Sequence, residues 1–331
     1  MRLLQIARHT GERRVAWIEG ERLRLLAGIG SVYELAREAL AAGERLAFAA
    51  ERSVSHDALD YDAVYQGRSE WRLLPAMDHP LEPARCLVSG TGLTHMASAR
   101  NRQAMHAAGD APTDSMRMYQ WGVEGGRPAA GAIGVAPEWF FKGCGGILRA
   151  HGEPLEVPPH AENGGEEPEI AGLYIIDDAG RPRRIGMAIG NEFSDHRFEK
   201  KNYLYLAASK LMTCSIGPEL VIEPDFRSVE GEVTIERAGA VLWTRGIRSG
   251  EEAMCHSLAN LEHHHFKHAG HRRPGDVHIH FFGADAFSFG EGVELQDGDM
   301  MQVRFAAFGR PLRNPLRRHR SSQEHFAAMP L

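Results

Sequence analysis

The 331-residue sequence has only four cysteines, and none of them forms a Cys-x-x-Cys pair. Scattered single cysteines fit reduced thiols in a cytoplasmic protein better than a disulfide framework. These cysteines are Cys86, Cys144, Cys214 and Cys255. Residues 1–14 lack the apolar core of a secretory signal, and no apolar run reaches the length of a membrane span. We therefore expect a cytoplasmic location and no membrane partner.

The sequence also lacks an excess of basic residues: 38 Lys and Arg stand against 44 Asp and Glu, for a formal net charge of -6. Proteins that bind nucleic acid need clustered Lys and Arg to neutralise phosphates, so nucleic acid is not expected as a partner. The Arg-rich segment 313–320 is a local exception. With 43% hydrophobic and 25% charged residues, the composition is that of an ordinary globular protein with ample length for a full core.

The first third of the chain predicts a small domain. Short strand-like runs at 3–7, 14–18 and 23–26 predict a meander. Ser31, followed by Glu34 three residues later, predicts the N-cap of one helix that continues to about residue 52. Three prolines between residues 74 and 83 predict a linker. We therefore place a small N-terminal α+β domain with its linker at 1–84 and a second, larger domain at 85–331.

The rest of the chain contains more strands than helices. A loop is expected at 122–134, a hairpin through Ala238-Gly239 and a helix over 250–266. Apolar runs predict strands at 86–89, 139–142, 170–176, 185–189, 276–282 and 300–307. Because strands and helices do not alternate regularly, the pattern favours an α+β fold with a mixed sheet over a doubly wound fold.

Three acidic residues flank two of the apolar runs. Glu167 and Glu169 open the run 170–176, and Glu192 follows the run 185–189. Alternate residues of a strand project from one face, so the first two carboxylates aim at one point. If the two strands are adjacent and antiparallel, the third carboxylate reaches the same sheet end. A hard divalent cation such as Mg²⁺ suits such a group, whereas the alternative is three solvated carboxylates at strand ends.

Lys210 lies in an apolar stretch, which leaves two interpretations open. Its stem packs while its ammonium group reaches water, or burial and a nearby cation lower its pKa and make it a base.

Seven histidines crowd the segment 263–280. Consecutive residues of a helix point in different directions, which disfavours one shared zinc ion, although alternate positions on a strand leave a zinc site at His278 and His280 open. We expect most of these histidines at the surface or at an interface. They are His263, His264, His265, His268, His271, His278 and His280.

These motifs resemble those of the fumarylacetoacetate hydrolase superfamily, in particular its bacterial sugar-acid branch, which includes 2-keto-3-deoxypentonate dehydratases. The family's Glu-x-Glu matches Glu167 and Glu169, and its Asn-Asp-x-Ser matches residues 191–194. Its lysine before a Gly-Pro matches Lys210, its Phe-x-Lys matches residues 140–142, and its early loop ending in histidine is similar to Gly90–His95. The turns at 274–277 and 298–299 also match, and the resemblance covers about residues 85–315.

Four positions depart from the family pattern. The third ligand is Glu192 instead of Asp, and Ser98 replaces the Glu that follows the loop histidine in the hydrolases. His196 replaces the usual Arg after the Ser, and Gly283-Ala284-Asp285 replaces a Gly-Thr-Pro loop. These changes lie around the expected substrate, so the metal chemistry transfers better than the reaction does.

The resemblance implies a mixed β-sheet and β-roll fold, a homodimer, and Mg²⁺, with Mn²⁺ or Ca²⁺ as substitutes, held by Glu167, Glu169 and Glu192. It also implies a metal-dependent lyase that dehydrates a 2-keto-3-deoxypentonate to 2-oxoglutarate semialdehyde. Lys210 would remove the C3 proton, and His95 or His196 would protonate the departing C4 hydroxyl. The substrate contacts would come from Lys142, Gly90, Thr91 and Ala284.

Two rival interpretations remain. One keeps the metal but cleaves a carbon–carbon bond, as an acylpyruvate or 2,4-diketo-acid hydrolase or an oxaloacetate decarboxylase. The other is a non-catalytic sugar-acid sensor. Substrate length and stereochemistry are expected to depend on the loops at 91–135 and 284–292.

Overall fold

The computed structural model describes residues 1–106 and 111–331, and β-strands form most of its regular structure. The part of the loop region 91–135 that comprises residues 107–110 lies outside the described residues. In the described residues the strands are β1 Arg2–Arg8, β2 Arg13–Glu19, β3 Arg22–Leu26, β4 Val54–Asp60, β5 Trp71–Leu73, β6 Cys86–Gly90, β7 Phe140–Cys144, β8 Leu148–Arg149, β9 Leu155–Val157, β10 Pro168–Ile176, β11 Pro182–Asn191, β12 Cys214–Ile216, β13 Leu220–Val221, β14 Val229–Arg237, β15 Ala240–Ser249, β16 Val277–Phe281, β17 Met300–Phe305 and β18 Leu312–Arg318.

The helices are short and lie outside the sheets. They are α1 Val32–Ala42, α2 Leu46–Arg52, α3 Tyr61–Tyr65, α4 Met96–His106, α5 Asp114–Gly125, α6 His196–Lys201, α7 Leu206–Ser209 and α8 Leu258–Phe266, with 3₁₀ turns at Pro83–Arg85, Gly145–Ile147, Tyr203–Tyr205, Ala269–His271, Ser288–Glu291 and Ala306–Phe308. None of the helices in residues 1–106 and 111–331 combines the length and the apolar character that a membrane crossing requires.

The large sheet is mixed. Its strand order is β4-β3-β2-β1-β13-β11-β10-β16-β6-β7, and β5, β8 and β12 pair at its sides. Most pairs are antiparallel, whereas β16 with β6 and β12 with β8 are parallel. The predicted N-terminal meander β1–β3 is present, and β1 joins the rest of the sheet through Arg2↔Val221 and Leu3↔Leu220. The α+β class with a mixed sheet is confirmed, and the domain division at residue 84 stays a prediction.

A second sheet covers one face of the first. Its order is β15-β14-β17-β18-β9. Ile170 and Ile189 of the large sheet pack in one core cluster with Val233 and Val303 of the second sheet, while Leu173 and other residues of the opposite face pack with helices α1 and α2. Strand β10 is therefore buried at every position, which removes the residues at its start from bulk water.

Three predicted elements differ from the structure. The single helix predicted to about residue 52 is two helices, because Gly43 adopts φ +66° and ends α1. The predicted loop 122–134 is helical as far as Gly125; a Cβ on Gly122 would lie 2.6 Å from Cys255 Sγ, so this glycine permits close packing. The helix predicted over 250–266 starts only at Leu258, where the Ser257 side chain accepts a hydrogen bond from Asn260 N.

Candidate active site

The three predicted acidic residues converge at one end of the large sheet. Strands β10 and β11 pair antiparallel with Pro168↔Asn191 in register, which places Glu167 and Glu169 beside Glu192. The backbone N–H of Glu192 donates to the carbonyl oxygen of Glu167 at 2.9 Å and fixes this approach. One carboxylate oxygen from each residue lies within 4.8 Å of the others, and all three side chains are buried.

Two buried lysines partly neutralise this carboxylate triad, Glu167, Glu169 and Glu192. The Lys210 Nζ lies 2.5 Å from Glu167 Oε1 and 2.6 Å from Glu192 Oε2. The Lys142 Nζ lies 2.6 Å from Glu192 Oε1. Glu169 has no cationic partner among the described residues, and its Oε2 accepts the backbone N–H of Gly283 at 2.6 Å. The triad therefore keeps one negative charge more than the two lysines supply.

The pKa values follow these contacts. Burial and then the Glu192 and Glu167 carboxylates raise the pKa of Glu169 well above its ordinary value. Burial raises the pKa of Glu167 as well, but Lys210 and His196 outweigh it and hold that pKa well below its usual range. A divalent cation would relieve the repulsion on Glu169, and buried carboxylate oxygens without a full set of cations are suitable ligands for Mg²⁺. The residues present therefore fit the implied metal.

Lys210 is an ammonium ion in this arrangement. Burial lowers its pKa, yet Glu167 and Glu192 together outweigh burial and raise the pKa above the ordinary lysine value. These protein contacts alone thus raise the pKa of Lys210, and its lowering by a nearby cation stays a prediction. The aromatic ring of Phe140 lies under the same ammonium group, with its centroid 4.8 Å from Nζ.

Lys142 contacts backbone as well as the triad. Its ammonium group donates to the carbonyl oxygens of Phe193 at 2.7 Å and Lys210 at 2.8 Å, and it pairs with Glu192. The backbone carbonyls use two of its three donors, whereas Glu192 Oε1 lies at ion-pair distance without a hydrogen bond among the described residues. Lys142 therefore stabilises Glu192 by its charge, and its contact with a substrate oxygen stays a prediction.

His196 directly contacts the triad. Its Nε2 lies 3.0 Å from Glu167 Oε1, and its ring stacks on Phe287 at a centroid distance of 4.8 Å. It is the first residue of α6, whose N-cap Asp195 accepts the backbone N–H of Phe198. His196 is thus well placed to exchange a proton with Glu167.

His95 has a defined tautomer. The Thr94 hydroxyl donates its single hydrogen to the Phe282 carbonyl oxygen at 2.7 Å, so it accepts from His95 Nδ1 at 2.9 Å. His95 Nε2 is then an acceptor, and it is buried without a partner among the described residues. Burial lowers the pKa of His95 to about 4, which keeps the ring neutral at neutral pH. A neutral acceptor is better suited to take a proton than to give one to a departing hydroxyl.

The other predicted substrate contacts lie along this side of the site. Gly90 ends strand β6, Thr91 follows it, and the Thr91 Oγ1 bonds His280 Nε2 at 2.6 Å. A Cβ on Gly283 would lie 2.1 Å from Thr94 Oγ1, so residues 283–284 pack directly against the loop 90–95 beside Glu169. Ala284 is buried there. Contacts of Gly90, Thr91 and Ala284 with substrate stay predictions.

Sequence reasoning missed Glu138. Its Oε1 pairs with Arg102 Nη1 at 2.8 Å and accepts the Tyr203 hydroxyl at 2.7 Å, while Oε2 is buried without a hydrogen-bond partner among the described residues. A Cβ on Gly92 would lie 1.9 Å from this Oε2, so the free oxygen lies against the loop 90–95. The signal in the sequence was weak: one acidic residue directly before Trp139 and the apolar start of β7.

The histidines of residues 263–280 are not mainly at the surface, and that expectation is wrong for four of them. His264, His265, His278 and His280 are buried. His265 Nε2 bonds His278 Nδ1 at 2.9 Å, and the Trp139 indole N–H donates to His265 Nδ1 at 3.1 Å. Among the described residues, the carboxylate triad is the one group whose ligand atoms converge as a metal site requires, so the open zinc interpretation gains no support.

Comparisons with known proteins agree with this fold. No family model matches the chain. A probable 2-keto-3-deoxyxylonate dehydratase of Haloferax volcanii is 32% identical over 120 residues, which span 35% of this chain and 40% of that protein. The matched region therefore covers less than half the length of this curated relative.

Solved structures match over nearly the whole chain. A 2-keto-3-deoxy-D-arabinonate dehydratase complexed with magnesium and 2,5-dioxopentanoate has a TM-score of 0.70 at 21% identity, covering 97% of this chain and 100% of that chain. A 5-carboxymethyl-2-hydroxymuconate delta-isomerase from Mycobacterium smegmatis has a TM-score of 0.57 at 18% identity, with the same coverage. The fold resemblance drawn from the sequence motifs is confirmed.

Proposed function

We propose that this protein is a Mg²⁺-dependent hydro-lyase that dehydrates a 2-keto-3-deoxypentonate to 2,5-dioxopentanoate, which is 2-oxoglutarate semialdehyde. The observation that carries the proposal is the buried carboxylate triad with Lys210 2.5 Å from Glu167 and His196 3.0 Å from the same oxygen. The similarity to a 2-keto-3-deoxyxylonate dehydratase in sequence and to a 2-keto-3-deoxyarabinonate dehydratase in fold supports the choice of substrate class.

The reaction removes one molecule of water. The C3–H and C4–O bonds break, the C3 proton passes to a protein base, and the C4 hydroxyl leaves with a proton from a protein acid. Proton shifts from C5 to C3 and from the C5 hydroxyl to C4 then convert the unsaturated alcohol to the aldehyde. Mg²⁺ held by Glu167, Glu169 and Glu192 would act as a Lewis acid for the 2-oxo group.

The protein's own residues would move the protons. Lys210 and His196 share the Glu167 carboxylate oxygen, so the three groups form one hydrogen-bonded path along which protons would pass between Lys210 and His196. His196 is the better candidate for protonating the departing hydroxyl, since His95 is held neutral with an acceptor nitrogen. Glu138 presents a second free acceptor on the same side of the site.

One observation favours a second function, the hydrolysis of an acylpyruvate or another 2,4-diketo acid. The buried acceptor nitrogen of His95 is suited to activating a water molecule. Against it, Ser98 uses its hydroxyl to bond the His95 carbonyl oxygen at 2.9 Å, where the hydrolases place a carboxylate that orients the histidine. Pyruvate release from a 2,4-diketo acid would identify this second function.

The experiment that tests the proposal is a turnover assay of purified protein with Mg²⁺ and each enantiomer of 2-keto-3-deoxypentonate. Production of 2,5-dioxopentanoate, detected by a semialdehyde dehydrogenase coupled to NAD⁺ reduction, supports it. No product from either enantiomer contradicts it. A homodimer, a cytoplasmic location and replacement of Mg²⁺ by Mn²⁺ or Ca²⁺ belong to the same proposal and are checked by sedimentation, fractionation and metal substitution.

A further inference from the structure

A second buried ion cluster adjoins the triad. Arg102 of helix α4 lies between two buried carboxylates: Nη1 is 2.8 Å from Glu138 Oε1, and Nε is 2.8 Å from Glu199 Oε1 of helix α6. The Tyr203 hydroxyl donates to the same Glu138 oxygen at 2.7 Å. Only 13% of the Arg102 side chain is exposed, so water screens these pairs weakly.

The cluster leaves one oxygen of Glu138 without a partner. Arg102 and Tyr203 both bond Oε1, whereas Oε2 is buried against Gly92 and has no hydrogen-bond partner in residues 1–106 and 111–331. A buried carboxylate oxygen without a donor costs free energy, which a ligand hydroxyl would recover. The loop that contains Gly92 also contains His95, whose Nε2 is likewise buried without a partner among the described residues.

Arg102 also attaches helix α4 to the catalytic sheet. Ala99 is the buried residue of this helix, and its other side chains are half-buried or exposed, so apolar packing contributes little to holding it. The ion pairs of Arg102 reach both the segment before β7 and helix α6. Breaking a buried ion pair by removing one partner is costly, because it leaves the other charge buried and unpaired. Arg102 therefore helps to hold α4 in place, and together with Tyr203 it orients Glu138.

We propose that Arg102 is a positioning residue that acts through Glu138. It fixes one carboxylate oxygen so that the other accepts a hydrogen bond from a hydroxyl group of the sugar acid. Its pairs with Glu138 and Glu199 also hold helix α4 against the segment before β7 and against α6, and we call this contact the clasp. The ligand class is thus a 2-keto acid that has a hydroxyl group beyond C3. This inference rests on the proposed function for its substrate, whereas the clasp itself does not.

The experiment compares Arg102→Met and Arg102→Lys with Arg100→Met, a control on an exposed residue of the same helix. For Arg102→Met, kcat/KM for 2-keto-3-deoxypentonate is expected to fall about 100-fold, while the inhibition constant of pyruvate stays within about twofold. Pyruvate has no hydroxyl group for Glu138 and engages the metal end alone. Arg102→Lys is expected to recover only part of the loss, because one ammonium group does not bridge two carboxylates as a guanidinium does.

The outcomes separate positioning from a general structural role. A kcat/KM within about threefold of the wild type overturns the proposal, and so does a parallel weakening of pyruvate inhibition, because general disruption affects both ligands. If Arg102→Met does not fold, Tyr203→Phe decides: about a tenfold loss of kcat/KM with unchanged pyruvate inhibition supports the proposal, and no loss overturns it.

If the wild type does not dehydrate the pentonate, the proposed function fails and the clasp is tested by hydrogen exchange. Faster amide exchange in residues 96–106 of Arg102→Met than of Arg100→Met supports the clasp. Equal exchange in the two variants overturns it.

Discussion

Replacing Lys142 with Met tests the electrostatics of the site without an activity assay. The ammonium group pairs with Glu192 at 2.6 Å and donates to two backbone carbonyls, and its side chain has no exposed surface. Met preserves the apolar stem but leaves a buried carboxylate without one of its cations. Breaking a buried pair in this way costs about 3–5 kcal/mol, so we expect Lys142→Met to lose about 4 kcal/mol of unfolding free energy.

Mg²⁺ is expected to restore part of this loss. With all three carboxylates ionised, as a bound cation requires, the triad and its two lysines carry one net negative charge, and those of the variant carry two. A divalent cation is attracted more strongly to the variant, so saturating Mg²⁺ should raise the unfolding free energy of Lys142→Met by about 1–2 kcal/mol more than that of the wild type.

The assay is urea unfolding at pH 8, followed by far-UV circular dichroism with and without Mg²⁺. Lys201→Met is the matched control, because the Lys201 side chain is 55% exposed and its pair with Glu162 is at the surface. That variant is expected to change the unfolding free energy by less than about 0.5 kcal/mol. The reasoning is refuted if Lys142→Met unfolds at the wild-type urea concentration, or if Mg²⁺ stabilises both proteins equally.

Three further predictions concern other buried groups. Burial and then His271 lower the pKa of His278 to about 3, so below pH 6.5 the unfolded chain binds the proton that the folded protein excludes. His278 should therefore contribute up to about 1.4 kcal/mol per pH unit to the loss of stability, and His278→Asn should reduce the slope in urea unfolding by that amount while exposed His263→Gln leaves it unchanged. Thr94→Val removes the acceptor for His95 Nδ1–H, so ¹⁵N imidazole spectra should show a mixed tautomer and kcat should fall about tenfold; a retained single tautomer refutes this. The Glu166 carboxylate accepts hydrogen bonds from both the backbone N–H and the hydroxyl of Ser288. Glu166→Gln should lower the unfolding free energy by about 1–2 kcal/mol and raise KM, because Ser288 follows Phe287 in the loop that contacts His196. An unchanged KM contradicts this prediction.

The carboxylate triad was predictable because local rules place it. Alternation along β10 puts Glu167 and Glu169 on one face, and the antiparallel pairing with β11 is the simplest arrangement of two neighbouring apolar runs. Mixed strand content, the N-terminal meander and the turn at Ala238-Gly239 followed from comparable local signals. Such features depend on residues close in sequence, where propensity and periodicity are informative.

The remaining site residues depend on contacts that no spacing encodes. Lys142 donates to the carbonyls of Phe193 and Lys210, and both acceptors arrive from distant segments. His278 and His280 were misplaced because β16 is covered on both faces, so alternation along it does not separate buried from exposed positions. Glu138 and Arg102 lie 36 residues apart in sequence, and their pair forms only when α4 settles beside the segment before β7.

Glu169 differs from the other two carboxylates of the triad in its partners. Glu167 and Glu192 have lysine partners within hydrogen-bond distance, so each is stable in a buried site without any ion. Glu169 has a backbone donor but no cation among the described residues, and its pKa is raised by burial and by its two carboxylate neighbours. A fold selected for stability alone would replace it with an apolar residue, because unpaired buried charge is costly. Its presence in an otherwise consistent core is a local conflict of the kind that marks a functional site, and a divalent cation shared by all three carboxylates removes that conflict.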